Sequence, residues 1–237
     1  MNKIAILQSN YIPWKGYFHI IKKVDHFVFL DTAQYTQRDW RNRNQIKTPN
    51  GLLWLTVPTN GSQNVKINDV KIDNSQNWSA DHFHTLERCY ACTPHFEDFR
   101  AFLQKIYVEN TWEYLSDLNR YLIVEISHLL EFDTEFHLST EFILPCDKNE
   151  KIISVIHQLA GTHYISGPSA KSYIDEDIFA INDIRLEWMD YTQYPVYEQP
   201  WQPFVHEVSI LDLLFCLGKE KAIRYFRSLP GESNDQI

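Results

Sequence analysis

Residues 4–30 constrain the fold more than any other part of the chain. The apolar run Ile4 to Leu7 breaks into Gln8-Ser-Asn-Tyr-Ile-Pro13-Trp14-Lys-Gly16. An amphipathic stretch, Tyr17 to Val24, then leads to a second apolar run, Phe27 to Leu30. Short apolar runs without alternation are strands buried on both faces, and Pro13 and Gly16 punctuate the passage from strand to helix. Strand, loop, helix, strand is a βαβ unit that lays two parallel strands side by side. Ligands of such open sheets bind in the crevice beyond the carboxyl ends of the strands. Gln8, Asn10, Tyr11 and Trp14 are therefore expected to line a site, the alternative being that they satisfy the loop's own backbone groups. Asp31, closing the second run, is a candidate base or metal ligand, against the plainer role of capping a strand end.

Arg38, Arg41 and Arg43 follow shortly after, in a chain whose net charge is -9. A local cationic cluster on an acidic background suggests a small anionic ligand such as a phosphate. In an extended segment, Arg41 and Arg43 would point to one side as a clamp with Asn42 turned away; the alternative is solvated surface arginine. The same acidity disfavours long nucleic acid and anionic membranes as partners. No apolar stretch approaches the ~20 residues that span a bilayer, and none resembles a signal peptide, so a cytoplasmic protein is expected.

The expected organisation is one α/β domain of 237 residues with a Rossmann-like, mainly parallel sheet and an inserted helical bundle. Its core would comprise about residues 1–74 and 147–218, the insertion about 78–132, a last helix 219–228 and a polar tail 229–237. Lys47 to Gly51 and Asn60-Gly61 read as turns, Leu52 to Val57 and Val65 to Ile72 as strands. Between Trp78 and Phe132 the apolar residues recur at three and four, as in three helices. Asp147 can cap a helix over Glu150 to Leu159. Thr162 to Ser166 and Ile184 to Trp188 read as strands, with Ser169 capping a short helix to Ile174. Ser209 and Asp212 form a potential capping box for a helix that Gly218 stops.

The cysteines lie at 89, 92, 146 and 216, and a disulfide framework is not expected inside the cell. Cys89-x-x-Cys92-x-x-His95, with His82 and His84 upstream, offers zinc-capable ligands. The competing reading, adopted here, packs Cys89 and Cys92 inward on one helix face, so no metal is assigned and no zinc is expected.

Several segments together carry a resemblance. They are Gln8-x-x-Tyr11-x-Pro13-Trp14-x-Gly16-Tyr17-Phe18, Phe29-Leu-Asp31-x-x-Gln34-Tyr35, Arg41-Asn42-Arg43 with Ile46-Lys47, and Trp54-Leu-Thr-Val-Pro58. Further along come Tyr164-x-Ser166-Gly167-x-Ser169-Ala-x-x-Tyr173 and Ser209-Ile-Leu-Asp212. In this order they resemble the WbqC-like family of bacterial proteins, found among genes for O-antigen and other surface polysaccharides. Ser9 stands where that family commonly has proline, which leaves the loop backbone freer. The resemblance implies a sugar-modification context, and a glycine transferase role has been suggested for the family.

The expected function is acyl or aminoacyl transfer, glycyl included, to an amino sugar or nucleotide-linked sugar. The partners would be that small anionic sugar and an activated acyl donor. Gln8, Asn10, Tyr11, Trp14, Gln34, Arg41, Asn42, Arg43, Tyr164, Ser166, Ser169 and Tyr173 form the expected substrate-binding set, with Asp31 catalytic. No G-x-x-x-x-G-K phosphate loop is present, and no cofactor is assigned. Two alternatives stay open. One is a carbohydrate-binding or assembly protein without turnover. The other is an ATP-dependent amide ligase like pantothenate synthetase, whose first-loop His-x-Gly-His is replaced here by Trp14-Lys15-Gly16-Tyr17.

Overall fold

The computed structural model describes residues 2–60 and 64–230. Strand β1 (Asn2–Leu7) runs through the Pro13 loop into helix α1 (Lys15–Lys22) and strand β2 (His26–Phe29). An antiparallel ribbon, β3 (Arg43–Thr48) and β4 (Gly51–Thr56), precedes helices α2 (Trp78–Tyr90), α3 (Arg100–Gln104) and α4 (Leu115–Leu129). Strand β5 (Glu135–Leu138), helix α5 (Lys148–Gln158) and strand β6 (Gly161–Ser166) follow. Helix α6 (Glu176–Ile181), strand β7 (Arg185–Trp188) and helix α7 (Ile210–Arg227) complete the order. Among the described residues no helix is long and apolar enough to cross a membrane.

Five strands form one sheet in the order β5-β2-β1-β6-β7, and every neighbouring pair is parallel. The fold is therefore mixed α/β. Each face of the sheet is buried by helices, which is why its central strands read as continuous apolar runs. Ile4, Ile6, Val28 and Tyr164 pack against Ile152, Val155 and Ile156 of α5 and Phe179 of α6. On the opposite face Ala5, Phe27, Phe29 and Ile165 join Phe18 and Ile21 of α1, Leu118, Leu122 and Ile126 of α4, and Leu213 and Leu214 of α7. The chain passes from β1 outward to β2 and β5, then returns to the other side of β1 as β6 and β7. The direction of winding thus reverses between β1 and β6, where such sheets open a crevice.

Several expected elements shift. Val65 to Ile72 is not a strand: Ile67–Asp69 is a 3-10 turn, and the segment makes only isolated bridges, Gln34 with Lys66, Thr59 with Ile72 and Lys71 with Tyr114. Its apolar residues are buried, but its amides bond to scattered carbonyls such as those of Ala33 and Glu113, so the alternation reports burial rather than a ladder. Strand β5 and helix α6 were not anticipated; each is short and carries few apolar residues. Asp147 caps α5 by accepting from the amides of Asn149 and Glu150. Ser169 caps nothing, because the turn Pro168–Ser172 begins after Gly167 without a side-chain cap.

The capping box at Ser209 is also corrected. Ser209 Oγ accepts from the Leu211 amide, but Asp212 turns into the core. Cys89 is buried as expected, whereas Cys92 is exposed: α2 ends at Tyr90, so Cys92 lies beyond the helix on which the two would share a face. The other residues of that pattern disperse, His82 to Tyr11, His84 to Glu87 and His95 to Asp98. Gly61 of the expected Asn60-Gly61 turn and nearly all of the polar tail lie outside the described residues.

Gly218 does interrupt the last helix. Its φ is 71°, in the left-handed region, and a Cβ there would stand 2.6 Å from the His95 ring. Gly218→Ala is expected to cost about 1–3 kcal/mol through the backbone conformation, with the ring contact adding to it. A urea titration showing a lowered midpoint at unchanged slope checks this.

Candidate functional site

The loop after β1 is held from beneath. Tyr17 OH donates to the Gln8 carbonyl at 2.9 Å, the Ser9 amide donates to Asp31 Oδ1 at 2.9 Å, and the Tyr11 amide donates to the Trp40 carbonyl at 3.0 Å. Ile12 sits at φ 36°, which a β-branched residue resists. Asn44 Nδ2 stabilises that bend by donating to the carbonyls of Tyr11 and Ile12 at 3.2 and 2.9 Å. Tyr11 itself is fully buried, its hydroxyl shared between His82 Nδ1 at 2.8 Å and the Tyr107 hydroxyl at 2.6 Å. The expectation that Tyr11 lines a site is corrected: it anchors the loop to α2 and to the π turn Lys105–Glu109 that extends α3.

Asp31 lies where β2 ends and is 2% exposed. One carboxyl oxygen takes the Ser9 amide; the other, Oδ2, is buried with no protein partner. Burial raises its pKa, while the Ser9 amide, the charge of Arg120, the Ser9 hydroxyl and the charge of Arg41 act against that rise. Arg41 Nη1 lies 3.5 Å from Asp39 Oδ2, its carbonyl accepts from Asn119 Nδ2 at 2.8 Å, and its Nε is buried without a partner. Its charge also reaches Tyr173, on the loop after β6. Beside this centre Asn68, whose amide donates to the Asp31 carbonyl at 3.0 Å, and Asn119, which donates to the Arg41 carbonyl, keep their Oδ1 atoms buried without a protein partner. Buried polar atoms are nearly always paired, so these atoms stand out as acceptors open to a further partner.

The expected two-arginine clamp is not assembled. Arg41 sits in the turn before β3, where strand alternation does not apply, and Arg43 stacks on the Trp54 ring at 4.3 Å. Arg120 of α4 stands in its place beside Asp31. Arg120 escaped the sequence reading because it lies on the polar side of an amphipathic helix; its spacing from Asp117, with which it pairs, was the available signal.

Other expected residues divide. Gln8 is half-buried, and Asn10 has its Oδ1 buried and unpaired. Asn42 spends its Nδ2 on the Val57 carbonyl and keeps Oδ1 free. Ser166 ends β6, adjacent to β1, and Tyr173 is 49% exposed. Gln34, exposed, donates to Asn64 Oδ1 at 3.3 Å. Tyr164 is corrected to a core residue, stacked on Phe179 in the cluster beneath α5 and α6.

A cavity of about 250 Å³ adjoins the loop, lined by Asn10, Pro13, Trp14, Trp40, Asn44 and Glu207. Next to Trp14, Lys15 is buried within 6.0 Å of the Trp14, Tyr194, Tyr197 and Phe204 rings, and its ammonium donates to the His206 carbonyl at 2.7 Å. Desolvation lowers its pKa to about 8, against the opposing charges of Asp212 and Glu207.

The model of the WbqC-like protein family matches residues 8–224, from the first residue of this loop to the last turn of α7. The chain belongs to that family. This WbqC-like chain is 45% identical over 231 residues to the uncharacterized protein Rv1507c of Mycobacterium tuberculosis, covering 96% of itself and 100% of that relative. No solved structure matches it.

The Tyr11 anchor predicts a pH dependence. Burial lowers the His82 pKa from 6.5 to about 4, so between those values the unfolded chain binds a proton that the folded chain does not. Stability should be complete above pH 6.5 and decline as the pH falls toward 4. His82→Gln should flatten part of that slope in denaturation curves; His19, lowered to about 3 chiefly by burial, retains the rest.

Proposed function

We propose that this WbqC-like protein transfers an acyl or aminoacyl group to the amine of a small, phosphate-bearing amino sugar in surface-polysaccharide assembly in the cytoplasm. The observation that carries the reading is Asp31, a buried carboxyl at the end of a parallel strand that feels the charges of both Arg41 and Arg120. The strand order supports a Rossmann-like sheet with its ligand crevice at the β1/β6 reversal.

Arg41 and Arg120 would hold phosphate oxygens, a role suited to guanidinium forks. The raised pKa of Asp31 suits a general base. The amine nitrogen would attack the acyl carbon, forming the amide bond. The bond from that carbon to its leaving group would break with its electron pair, and Asp31 would accept the amine proton. Trp14 and Trp40 would offer apolar walls to the sugar or base, with Asn10 supplying a directional acceptor.

Mass spectrometry of mixtures of the protein, nucleotide amino sugars and activated acyl donors tests this directly, because turnover adds the acyl mass to the sugar. A protein that binds the sugar without any mass shift would be a carbohydrate-binding or assembly factor instead. Arg41→Ala and Arg120→Ala are each expected to weaken binding of the phosphorylated sugar by about 1.5–3 kcal/mol, the usual size of a charge-assisted hydrogen bond. Asp31→Asn should remove turnover while calorimetry still detects binding.

A further inference from the structure

At the opposite end of the sheet, where β2 and β5 begin, three side chains with ligand chemistry converge. His26 pairs in register with Glu135, and Val28 with His137. Lateral neighbours in a parallel pair, and residues two apart on one strand, project to the same face. His26, Glu135 and His137 therefore rise together from one side of the sheet's edge. His26 Nδ1 lies 3.1 Å from His137 Nε2, and the Glu135 carboxylate lies 3.4 Å from the first nitrogen and 3.8 Å from the second.

Atoms bound to zinc at about 2.0–2.1 Å with tetrahedral angles stand about 3.4 Å apart, so these separations already approximate a coordination triangle. Protons alone satisfy the group poorly. Two neutral imidazoles can share one hydrogen across the short contact, which leaves the accepting nitrogen facing a carboxylate oxygen with no proton between them. A shared metal cation meets all three ligands at once.

The remaining His137 nitrogen supplies an independent observation. Nδ1 lies 3.6 Å from Glu141 Oε2, and Glu141 is itself fixed because its other oxygen accepts from the Leu138 amide at 3.0 Å. A carboxylate behind a ligating histidine orients the ring and raises its basicity. The Phe142 ring, edge-on at 5.9 Å, restrains the same imidazole.

We propose that His26, Glu135 and His137 form a binding site for a divalent transition metal, zinc by its mixed nitrogen and carboxylate donors, with Glu141 as the positioning residue. Two neutral histidines and two carboxylates balance the charge of the ion. The metal would join the edge strand β5 to β2 across more than a hundred residues of chain, through side chains separate from those assigned to the crevice.

The test uses the full chain stripped with chelator and titrated with zinc chloride alone by calorimetry, with thermal melts in parallel. One zinc per chain, a raised melting midpoint, and visible bands of tetrahedral cobalt on substitution are expected. His26→Ala and His137→Ala should each weaken binding at least tenfold and cancel the rise in midpoint. Glu141→Gln should weaken it by about 10–100-fold, as loss of an orienting carboxylate does. Glu135→Gln, altering a side chain 66% exposed, serves as a ligand variant that keeps the fold. Cys89→Ala should bind as the parent does. Absence of saturable zinc binding by the parent chain would overturn the proposal. So would binding that persists in Glu135→Gln and His137→Ala but is lost in Cys89→Ala.

Discussion

A single buried carboxylate ties together the parts of this molecule that the sheet does not reach. Asp212, fully buried on α7, accepts from Tyr90 OH at 2.9 Å, from Tyr197 OH at 2.6 Å and from Gln199 Nε2 at 2.8 Å. Tyr90 in turn accepts the Lys47 amide at 2.9 Å, so one side chain connects α7, α2, the ribbon and the segment before α7. An ionised carboxylate taken out of water costs several kcal/mol unless its lone pairs are used; here three donors and the nearby Lys15 charge offset part of that cost, and burial still raises the Asp212 pKa. The same segment is pinned through its carbonyls, His206 to Lys15 and Pro203 to Lys47, by two lysines buried at 2% exposure. This polar lattice sets the position of Glu207 and hence one rim of the aromatic cavity.

Much of the sheet was legible because burial on both faces writes continuous apolar runs into the chain, as in Ile4 to Leu7 and Phe27 to Leu30. The place of Asp31 at the end of β2 was legible for a related reason, because an acid closes that apolar run. Asp212 was misread because its spacing from Ser209 matches a local capping pattern, whereas its actual partners come from Tyr90, Tyr197 and Gln199. Tyr11 was misread in the same way. A tyrosine in a Pro-rich loop resembles a surface residue until His82 and Tyr107, from distant helices, are seen to enclose its hydroxyl. Strand β5 escaped notice because at the edge of the sheet Glu135 and His137 alternate with Phe136 and Leu138, leaving little apolar signal.

The ribbon gives the crevice an outer wall of a different character. Trp40 and Trp54 lie with ring centroids 5.3 Å apart, Arg43 caps the Trp54 ring, and all three remain partly open to solvent. The base of the ribbon is fixed by the Ser209 amide donating to the Gln45 carbonyl at 2.9 Å and by the Val57 amide donating to the Asn42 carbonyl at 2.7 Å. Aromatic surface is thus held rigidly beside Asn10, while the charged centre at Asp31 sits deeper, between the strands and α4. The aromatic cavity and the charged centre are thus built from different side chains, Trp14, Trp40 and Asn10 in one and Asp31 with Arg41 and Arg120 in the other.

The position of β1 in the middle of the sheet bears on the birth of the protein. It is synthesised well before its neighbour β6, which ends about 160 residues later, and at about 5–20 residues per second that interval is roughly 8–30 s. Throughout it the nascent chain carries Ile4 to Leu7 with one hydrogen-bonding edge open, beside a β2 whose outer edge waits for β5. Unpaired strand edges are templates for association. The order of synthesis therefore leaves the unfinished chain, rather than the finished one, with the open strand edges.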